Sequence, residues 1–218
     1  MSWTAAVNVV LGLLPFLLLL AFSYAAARQL RHPSGWVGRR WMAQTFNNAN
    51  RTMLDTAVEV MDAKAGERIV DVGFGGGHAL DRLRERVAPQ RPAGVEVSVA
   101  MIEAGSARWG DGVELHLADV AAMPFADGSR DGVLSVNTLY FWPDPPAALR
   151  EIRRVLRPGG RLVLGIRSPL MMRLTPITWF GFRLYSVRRA AEMLRAADFA
   201  VEVTEKVKGE LILLGRAI

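Results

Sequence analysis

The sequence predicts an α/β protein built on a doubly wound sheet that is mostly parallel and closes with an antiparallel C-terminal hairpin strand. Three observations predict this fold. Short apolar segments alternate with amphipathic helical segments over residues 61–218, an order typical of strand–helix–strand units. A glycine-rich loop joins the first strand to the first helix, and an acid stands in or at the end of each of the first three strands. Because open α/β sheets bind ligands at the carboxyl ends of their strands, we expect the chemistry at that edge.

The predicted elements follow one another in a regular order. Strands are predicted at 67–73, 93–97, 113–118, 131–137 and 161–166, and helices at 78–87, 99–108, 145–156 and 187–197. The sequence Arg157-Pro158-Gly159-Gly160 is a helix stop signal. Segments 201–207 and 211–216, which flank Lys208-Gly209, predict the closing hairpin.

An apolar segment precedes this domain. Residues 5–27 contain no charged side chain, and a helix of that length spans roughly 35 Å, enough for a hydrocarbon core of about 30 Å. A retained transmembrane helix is the favoured interpretation, with a cleaved signal peptide and a buried soluble helix as alternatives. The segment before the apolar stretch has no Lys or Arg, which argues against the signal peptide.

The net charge of +6 is concentrated beside this helix, because residues 1–54 carry five arginines and no acid. Such a block differs from the surface-wide positive field of a nucleic-acid-binding protein. By the positive-inside rule, it places everything after residue 28 in the cytoplasm. The chain contains no cysteine, which excludes disulfides and thiolate metal sites, and no metal site is predicted.

The expected organisation therefore has three parts: a transmembrane anchor at 1–28, a basic juxtamembrane and amphipathic segment at 29–60, and the main domain at 61–218. Helical periodicity runs over 39–61. The aromatic residues Trp36, Trp41 and Phe46 favour contact with lipid or substrate, and packing of this helix on the core is the equal alternative.

The first strand leads into the loop Asp71-Val72-Gly73-Phe74-Gly75-Gly76-Gly77. Glycines let a ligand approach the backbone, and the following helix offers free N–H groups. His78 stands where a dinucleotide fingerprint needs glycine, and the Asp71 carboxylate would repel a pyrophosphate. The loop therefore favours a ligand with an ammonium group and a cationic centre.

Two further acids end the next strands. Glu96 stands where a carboxylate accepts both hydroxyls of a ribose, and Asp119 is placed to meet an adenine amino group. Met101 follows Glu96 and is placed to pack on the adenine face. A solvated loop acid or a core methionine is the alternative at each position, but three acids at consecutive strand ends favour one shared ligand.

Four motifs together resemble the class I S-adenosylmethionine-dependent methyltransferases, which have a Rossmann-like fold. They are VDVGFGGG at 70–77, GVEVSVAMIEAG at 94–105, LADVAAMPF at 117–125 and YFWPDPPAALREIRRVLRPGG at 140–160. With the closing hairpin, the resemblance covers about residues 60–218. It is nearest to the small-molecule branch that contains the quinone-biosynthesis C-methyltransferases.

This resemblance implies S-adenosylmethionine as the cofactor. The residues that it assigns to cofactor binding are Asp71, Gly73, Phe74, Gly75, Gly77, Glu96, Val97, Met101, Asp119, Val120 and Asn137. Asp71, Gly73 and Gly75 are expected to hold the methionine end, and Asn137 begins the loop over the sulfonium. Phe74, His78 and Val97 depart from the residues usual in the family, although none of these changes removes a backbone or carboxylate contact.

Tyr140 and His78 are the candidate catalytic residues, because a carbon or hydroxyl acceptor needs a general base. Tyr140 follows the fourth strand and borders the expected acceptor pocket, whereas His78 has a helix-capping role as its alternative. Residues 168–186 are rich in large apolar side chains and correspond to an insertion that often covers the acceptor. Packing against the N-terminal helix is the alternative for this segment.

The sequence thus predicts a membrane-anchored, cytoplasm-facing methyltransferase for a small hydrophobic acceptor, such as a lipid or a quinone-like compound. A soluble metabolite acceptor and a non-catalytic membrane-bound S-adenosylmethionine-binding protein are the alternatives. A nucleic-acid acceptor is disfavoured, because Asn137-Thr138-Leu139-Tyr140 lacks the Pro-Pro-aromatic motif of base methyltransferases.

Overall fold

The computed structural model describes residues 3–31, 33–34, 43–207 and 209–218. Within them a seven-stranded sheet has the order β3-β2-β1-β4-β5-β7-β6. The strands are β1 (Ile69–Val72), β2 (Ala93–Glu96), β3 (Glu114–Leu117), β4 (Arg130–Val136), β5 (Leu156–Arg167), β6 (Phe199–Val207) and β7 (Glu210–Ala217). The pairs from β3 to β5 are parallel, and β7 runs antiparallel to β5 and β6. This confirms the predicted mostly parallel sheet with an antiparallel hairpin strand.

The helices alternate with these strands. They are α1 (Trp3–Arg31), α2 (Ala43–Met61), α3 (His78–Val87), α4 (Val99–Trp109), α5 (Pro145–Val155), α6 (Pro169–Arg173) and α7 (Val187–Arg195). Short 3-10 turns occupy Gly110–Gly112, Leu139–Phe141 and Pro176–Trp179. Local capping explains several of the helix starts, since the Asp144 carboxylate accepts the Ala147 N–H at 3.0 Å ahead of α5.

The predicted start of the fifth strand, at 161, needs a correction. Helix α5 ends at Val155, close to the predicted end, but the strand begins at Leu156 instead of 161. Leu156 pairs with Arg130 and Arg161 pairs with Gly132, so the register shifts within this stretch. The two glycines therefore lie in an irregular segment of the strand, which has the character of a bulge rather than a separate turn.

Helix α2 packs on the sheet. Met53 and Met61 are fully buried, and a Cβ atom added at Gly165 would lie 2.9 Å from Met53 Cε. A Cβ at Gly132 would lie 2.7 Å from Met61 Sδ, so these two glycines permit the close approach of the helix. For this half of α2 the structure favours core packing over membrane contact. Trp36 and Trp41, like the side chain of Phe46, lie outside the described residues.

Helix α1 has a large exposed apolar surface. Residues 12–31 are long and apolar enough to cross a membrane by length and composition. Leu17, Leu18 and Phe22 are more than half exposed. This exposure argues against the alternative that the segment is a buried helix of a soluble domain. At the C-terminal end the Tyr24 ring meets the Phe180 ring edge-on, with centroids 5.7 Å apart. Thus α1 contacts the domain near its C-terminal end, and the described side chains of residues 12–19 are exposed.

Candidate active site

A cavity of about 740 Å³ opens at the carboxyl ends of the parallel strands, a size typical of small-molecule sites. We call one part of its wall the acidic end, formed by the strand-end residues Gly73, Phe74, Gly75, Gly76, Glu96, Val97, Asp119 and Val120. We call the other part the aromatic end, formed by Arg31, 140–143, Arg167 and residues of 171–183. The cavity therefore lies at the sheet edge that the sequence predicted.

The glycine loop forms the floor of the acidic end. Gly73 and Gly75 have positive φ angles of 71° and 50°, and a Cβ on Gly73 would lie 2.5 Å from Thr138 Cγ2. Gly76 lines the cavity, although the sequence analysis passed over it. Gly77 is not among the described residues that line the cavity, and its role in cofactor binding stays a prediction. A Cβ there would lie 2.2 Å from the Trp109 ring, so Gly77 allows α3 to pack on Trp109.

Glu96 is a fixed hydrogen-bond acceptor on the cavity wall. Its carboxylate accepts the N–H groups of Val97 at 2.8 Å, Ser98 at 3.1 Å and Gly75 at 3.4 Å. Burial raises the pKa of Glu96, and these three N–H groups act in the opposite direction. The bonds tie the glycine loop to the end of β2 and orient the carboxylate for a diol ligand.

Asp71 lies in β1, is 2% exposed and is not among the described residues that line the cavity. Its Oδ2 atom is buried without a hydrogen-bond partner, which is rare for a carboxylate oxygen. Burial, with a further contribution from the Glu96 charge, raises the pKa of Asp71 to about 8. An unsatisfied carboxylate next to a second carboxylate fits a cationic ligand and agrees poorly with a phosphate.

The remaining residues of the acidic end divide between the cavity and the core. Val97, Asp119 and Val120 line the cavity, as expected; Asp119 Oδ1 also accepts the Ala121 N–H at 2.8 Å. Met101 does not line it and is 1% exposed in a cluster with Phe74 and Trp109. The Met101 side chain therefore belongs to the core of this structure, and its contact with adenine stays a prediction.

The two candidate catalytic residues have different surroundings. His78 Nε2 lies 2.8 Å from Asp55 Oδ1, a contact that joins α3 to α2, and His78 is not among the described residues that line the cavity. Tyr140 lines the cavity, and its hydroxyl donates to Asn137 Oδ1 at 3.3 Å and accepts the Arg167 N–H. Burial raises the pKa of Tyr140 far above its ordinary value, so the phenol keeps its proton. This geometry favours a hydrogen-bonding role for Tyr140 over that of a base.

Aromatic rings form the wall around Tyr140. The Phe182 ring centroid lies 4.7 Å from that of Phe141, which it meets edge-on, and 6.1 Å from that of Tyr140, to which it is tilted; both are favourable distances for aromatic contact. Eight residues of the segment 168–186 line the cavity: Met171, Met172, Thr175, Ile177, Thr178, Gly181, Phe182 and Arg183. Trp179 is 55% exposed and lies outside this lining. The segment therefore covers the cavity with side chains other than that of Trp179.

A polar network lies beside Tyr140 on the cavity wall. Asn137, at a φ of 58°, donates from Nδ2 to Asn50 Oδ1 at 3.0 Å, and Arg167 Nη2 donates to the same oxygen at 2.9 Å. Arg167 also lies 3.2 Å from a Glu210 carboxylate oxygen. Sequence reasoning missed Asn50 and Arg167, although Arg167 follows the predicted fifth strand and fits the strand-end rule. The described residues contain no cluster of three side chains suited to a metal ion.

Comparison with known proteins relates this arrangement to methyltransferases. Residues 70–164 match the family model described as a methyltransferase domain. The curated relatives that the chain matches include named methyltransferases, and the solved structures that share its fold include S-adenosylmethionine-dependent methyltransferases.

Two curated relatives and one solved structure illustrate the likeness. Methyltransferase GfsG of Streptomyces halstedii is 35% identical over 120 residues, which are 53% of this chain and 43% of that protein. The 27-O-demethylrifamycin SV methyltransferase of Amycolatopsis mediterranei is 31% identical over 126 residues, 56% of this chain and 46% of that protein. The chain thus spans less than half the length of these relatives. The crystal structure of a SAM-dependent methyltransferase from Aquifex aeolicus shares the fold, with a TM-score of 0.68 and 20% identity over 81% of this chain and 97% of that one.

Proposed function

We propose that this chain transfers a methyl group from S-adenosylmethionine to a small hydrophobic acceptor, such as a lipid or a quinone-like compound. The observation that carries the proposal is a single cavity that joins the carboxylates of Glu96 and Asp119 at the strand ends to a wall of aromatic rings. The acidic end fits a cationic nucleoside, and the aromatic end fits an apolar molecule.

The roles of the residues follow from this division. When bound, the cofactor supplies a methyl group whose bond to the cationic sulfur breaks, leaving its electron pair on sulfur, as a lone pair of the acceptor forms the new bond. Glu96 accepts the ribose hydroxyls, and Asp71 balances the positive charge of the methionine end. Asn137 and Tyr140 orient the loop after β4, and the aromatic wall excludes water. An acceptor that is already ionised, or an amine that releases its proton to water, needs no base from the chain.

We further propose that the acceptor enters from a membrane. The anchor at 1–28 spans the bilayer, the segment 29–60 follows at its surface, and the domain at 61–218 faces the cytoplasm. The exposed leucines of α1 support this, and so do the side chains of Leu170, Leu174 and Trp179, each more than half exposed on the neighbouring segment. The Tyr24–Phe180 contact joins the two apolar surfaces, so both are able to enter one bilayer beside the aromatic end.

Removal of residues 1–27 tests the role of the membrane. The truncated chain keeps Pro33, whose carbonyl accepts the Ser98 hydroxyl at 2.7 Å, so we expect nearly unchanged cofactor affinity. We expect turnover on acceptors extracted from membranes to fall strongly in vesicles, with methyl transfer followed by mass spectrometry of extracts incubated with isotope-labelled cofactor. The Glu96→Ala variant, which should bind the cofactor weakly, gives the background level of methyl transfer.

Two results contradict the membrane proposal. Equal rates of the full and truncated chains in vesicles and in detergent would favour a soluble metabolite. Release of the full chain from membranes by a high-salt wash would mean that charge attraction, and not a spanning helix, holds it there. Absence of turnover on any extract, with cofactor binding intact, would favour the non-catalytic alternative.

A further inference from the structure

The charges that line the cavity are separated by sign. The acidic end carries Glu96 and Asp119, whereas the aromatic end carries Arg31, Arg167 and Arg183. The carboxylates suit the cationic cofactor, but three guanidinium groups around an apolar chamber are not needed to hold a neutral hydrophobic acceptor. Their presence requires a separate explanation.

Two of these arginines keep an uncompensated charge. The Arg31 guanidinium donates to the Gly181 carbonyl, and Arg183 Nη1 donates to the Pro143 carbonyl at 2.7 Å. Within the part of the chain that the structure describes, neither forms an ion pair with a carboxylate. A carbonyl oxygen fixes the position of a guanidinium but does not neutralise its positive charge. The other N–H groups of the guanidinium therefore remain available to an anion. Arg167 differs, since it pairs with Glu210.

Apolar surface lies next to this pair of arginines. Phe182 stands between Gly181 and Arg183 in the chain and meets the Phe141 ring edge-on, and both rings line the cavity. A ligand that fits this surface has an apolar body against the two rings and an acidic group at the guanidinium groups. Arginine binds carboxylate and phosphate groups strongly, because its planar donors match their oxygens.

We propose that Arg31 and Arg183 form an anion subsite in the aromatic end, and that the acceptor is an acidic amphiphile, with a carboxylate or phosphate on an apolar body. The choice of acceptor rests on the proposed methyl transfer, whereas the subsite itself is tested by binding alone. Arg31 is the last residue of α1, so a membrane-embedded α1 places this subsite at the level of the lipid head groups.

The test compares two probes that differ in charge. Dodecanoate and dodecanol are titrated into the full-length protein in a nonionic detergent, and binding is measured by calorimetry without cofactor. We expect dodecanoate to bind at least about tenfold more tightly, and Arg31→Gln or Arg183→Gln to remove about tenfold of its affinity while dodecanol binding stays the same. Arg188→Gln is the matched control, because that side chain is 88% exposed on α7, beside Glu192 and outside the cavity lining.

Equal affinity for the two probes, or an equal loss in Arg188→Gln, would overturn the subsite. Cofactor affinity of each variant is measured in parallel, and its retention shows that the fold is intact. Phosphatidylcholine vesicles with and without phosphatidic acid then identify the source of the anion. Competition by the acidic vesicles that disappears in Arg183→Gln identifies a lipid head group, and a lack of competition identifies a free acid. Failure of methyl transfer leaves these binding results unchanged, so the two proposals fail separately.

Discussion

The two ends of the cavity are built in different ways. The acidic end consists of residues at or just after strand ends, and backbone N–H groups hold Glu96 in place. The aromatic end is assembled from the last residue of α1, the loop after β4, the end of β5 and the segment 171–183. In the proposed function, the sheet therefore supplies the cofactor site, and the segments attached to it supply the acceptor site. Substitutions at one end are expected to leave the ligand of the other end largely unaffected.

The largest effect on the acidic end is expected from Gly73→Ala. Its φ of 71° disfavours a side chain, and the new Cβ would lie 2.5 Å from Thr138 Cγ2, so the free energy of unfolding should fall by about 2–4 kcal/mol and cofactor binding should weaken. Gly66→Ala is the matched control: its φ is 83°, with nothing within 4 Å of the added Cβ. It should cost about 1–2 kcal/mol and spare cofactor affinity. Equal effects in chemical denaturation and calorimetry would mean that the Thr138 contact is unimportant.

A smaller effect is expected from Phe182→Ala at the aromatic end. Loss of the ring from the stack with Phe141 and Tyr140 should raise the KM for the acceptor by about 5- to 30-fold, equivalent to about 1–2 kcal/mol, with cofactor affinity unchanged. Trp179→Ala should have little effect on KM, since that ring is exposed outside the cavity lining. Steady-state kinetics that rank the two variants in the opposite order would place the acceptor elsewhere.

The smallest expected effect is the change in the free energy of unfolding that ionisation of Asp71 causes per pH unit. In the unfolded chain this carboxyl ionises near its ordinary pKa of 3.8, but in the cofactor-free fold burial raises the pKa to about 8. Between these values the unfolded state loses the proton first, so the contribution of Asp71 to stability falls as pH rises, by less than about 1.4 kcal/mol per pH unit. Urea unfolding between pH 5 and pH 8 should show this fall in the native chain and a flatter profile in Asp71→Asn. Identical profiles would mean that Asp71 is ionised in the fold.

The same contrast explains what the sequence predicts and what it does not. Strand ends and glycines are local signals, so the positions of Gly73, Glu96 and Asp119 on the cavity wall follow from the order of strands and helices. Met101 and Gly77 lie in the same motifs but face Trp109, because the rotation of a helix on its sheet depends on packing.

Asn50, Arg31 and Arg183 offer no local signal of this kind, whereas the sequence predicts Tyr140 and the segment 168–186 near the acceptor. The first three are brought to one cavity by contacts between segments that are far apart in the chain. A helix that is apolar on all sides has no pattern that indicates which of its residues contact the domain. Sequence reasoning also missed Arg167, although it follows a predicted strand and the rule that located the acids applies to it.

The central claim is that the carboxylates of the acidic end, and not the arginines of the aromatic end, bind S-adenosylmethionine. The most direct test is a calorimetric titration of that cofactor into Glu96→Ala and Arg183→Gln side by side. Loss of a charged acceptor for two hydroxyls should weaken binding to Glu96→Ala by about 2–3 kcal/mol, or roughly 30- to 150-fold. Binding to Arg183→Gln should stay close to that of the native chain. Unchanged affinity in Glu96→Ala, or an equal loss in Arg183→Gln, would contradict the account.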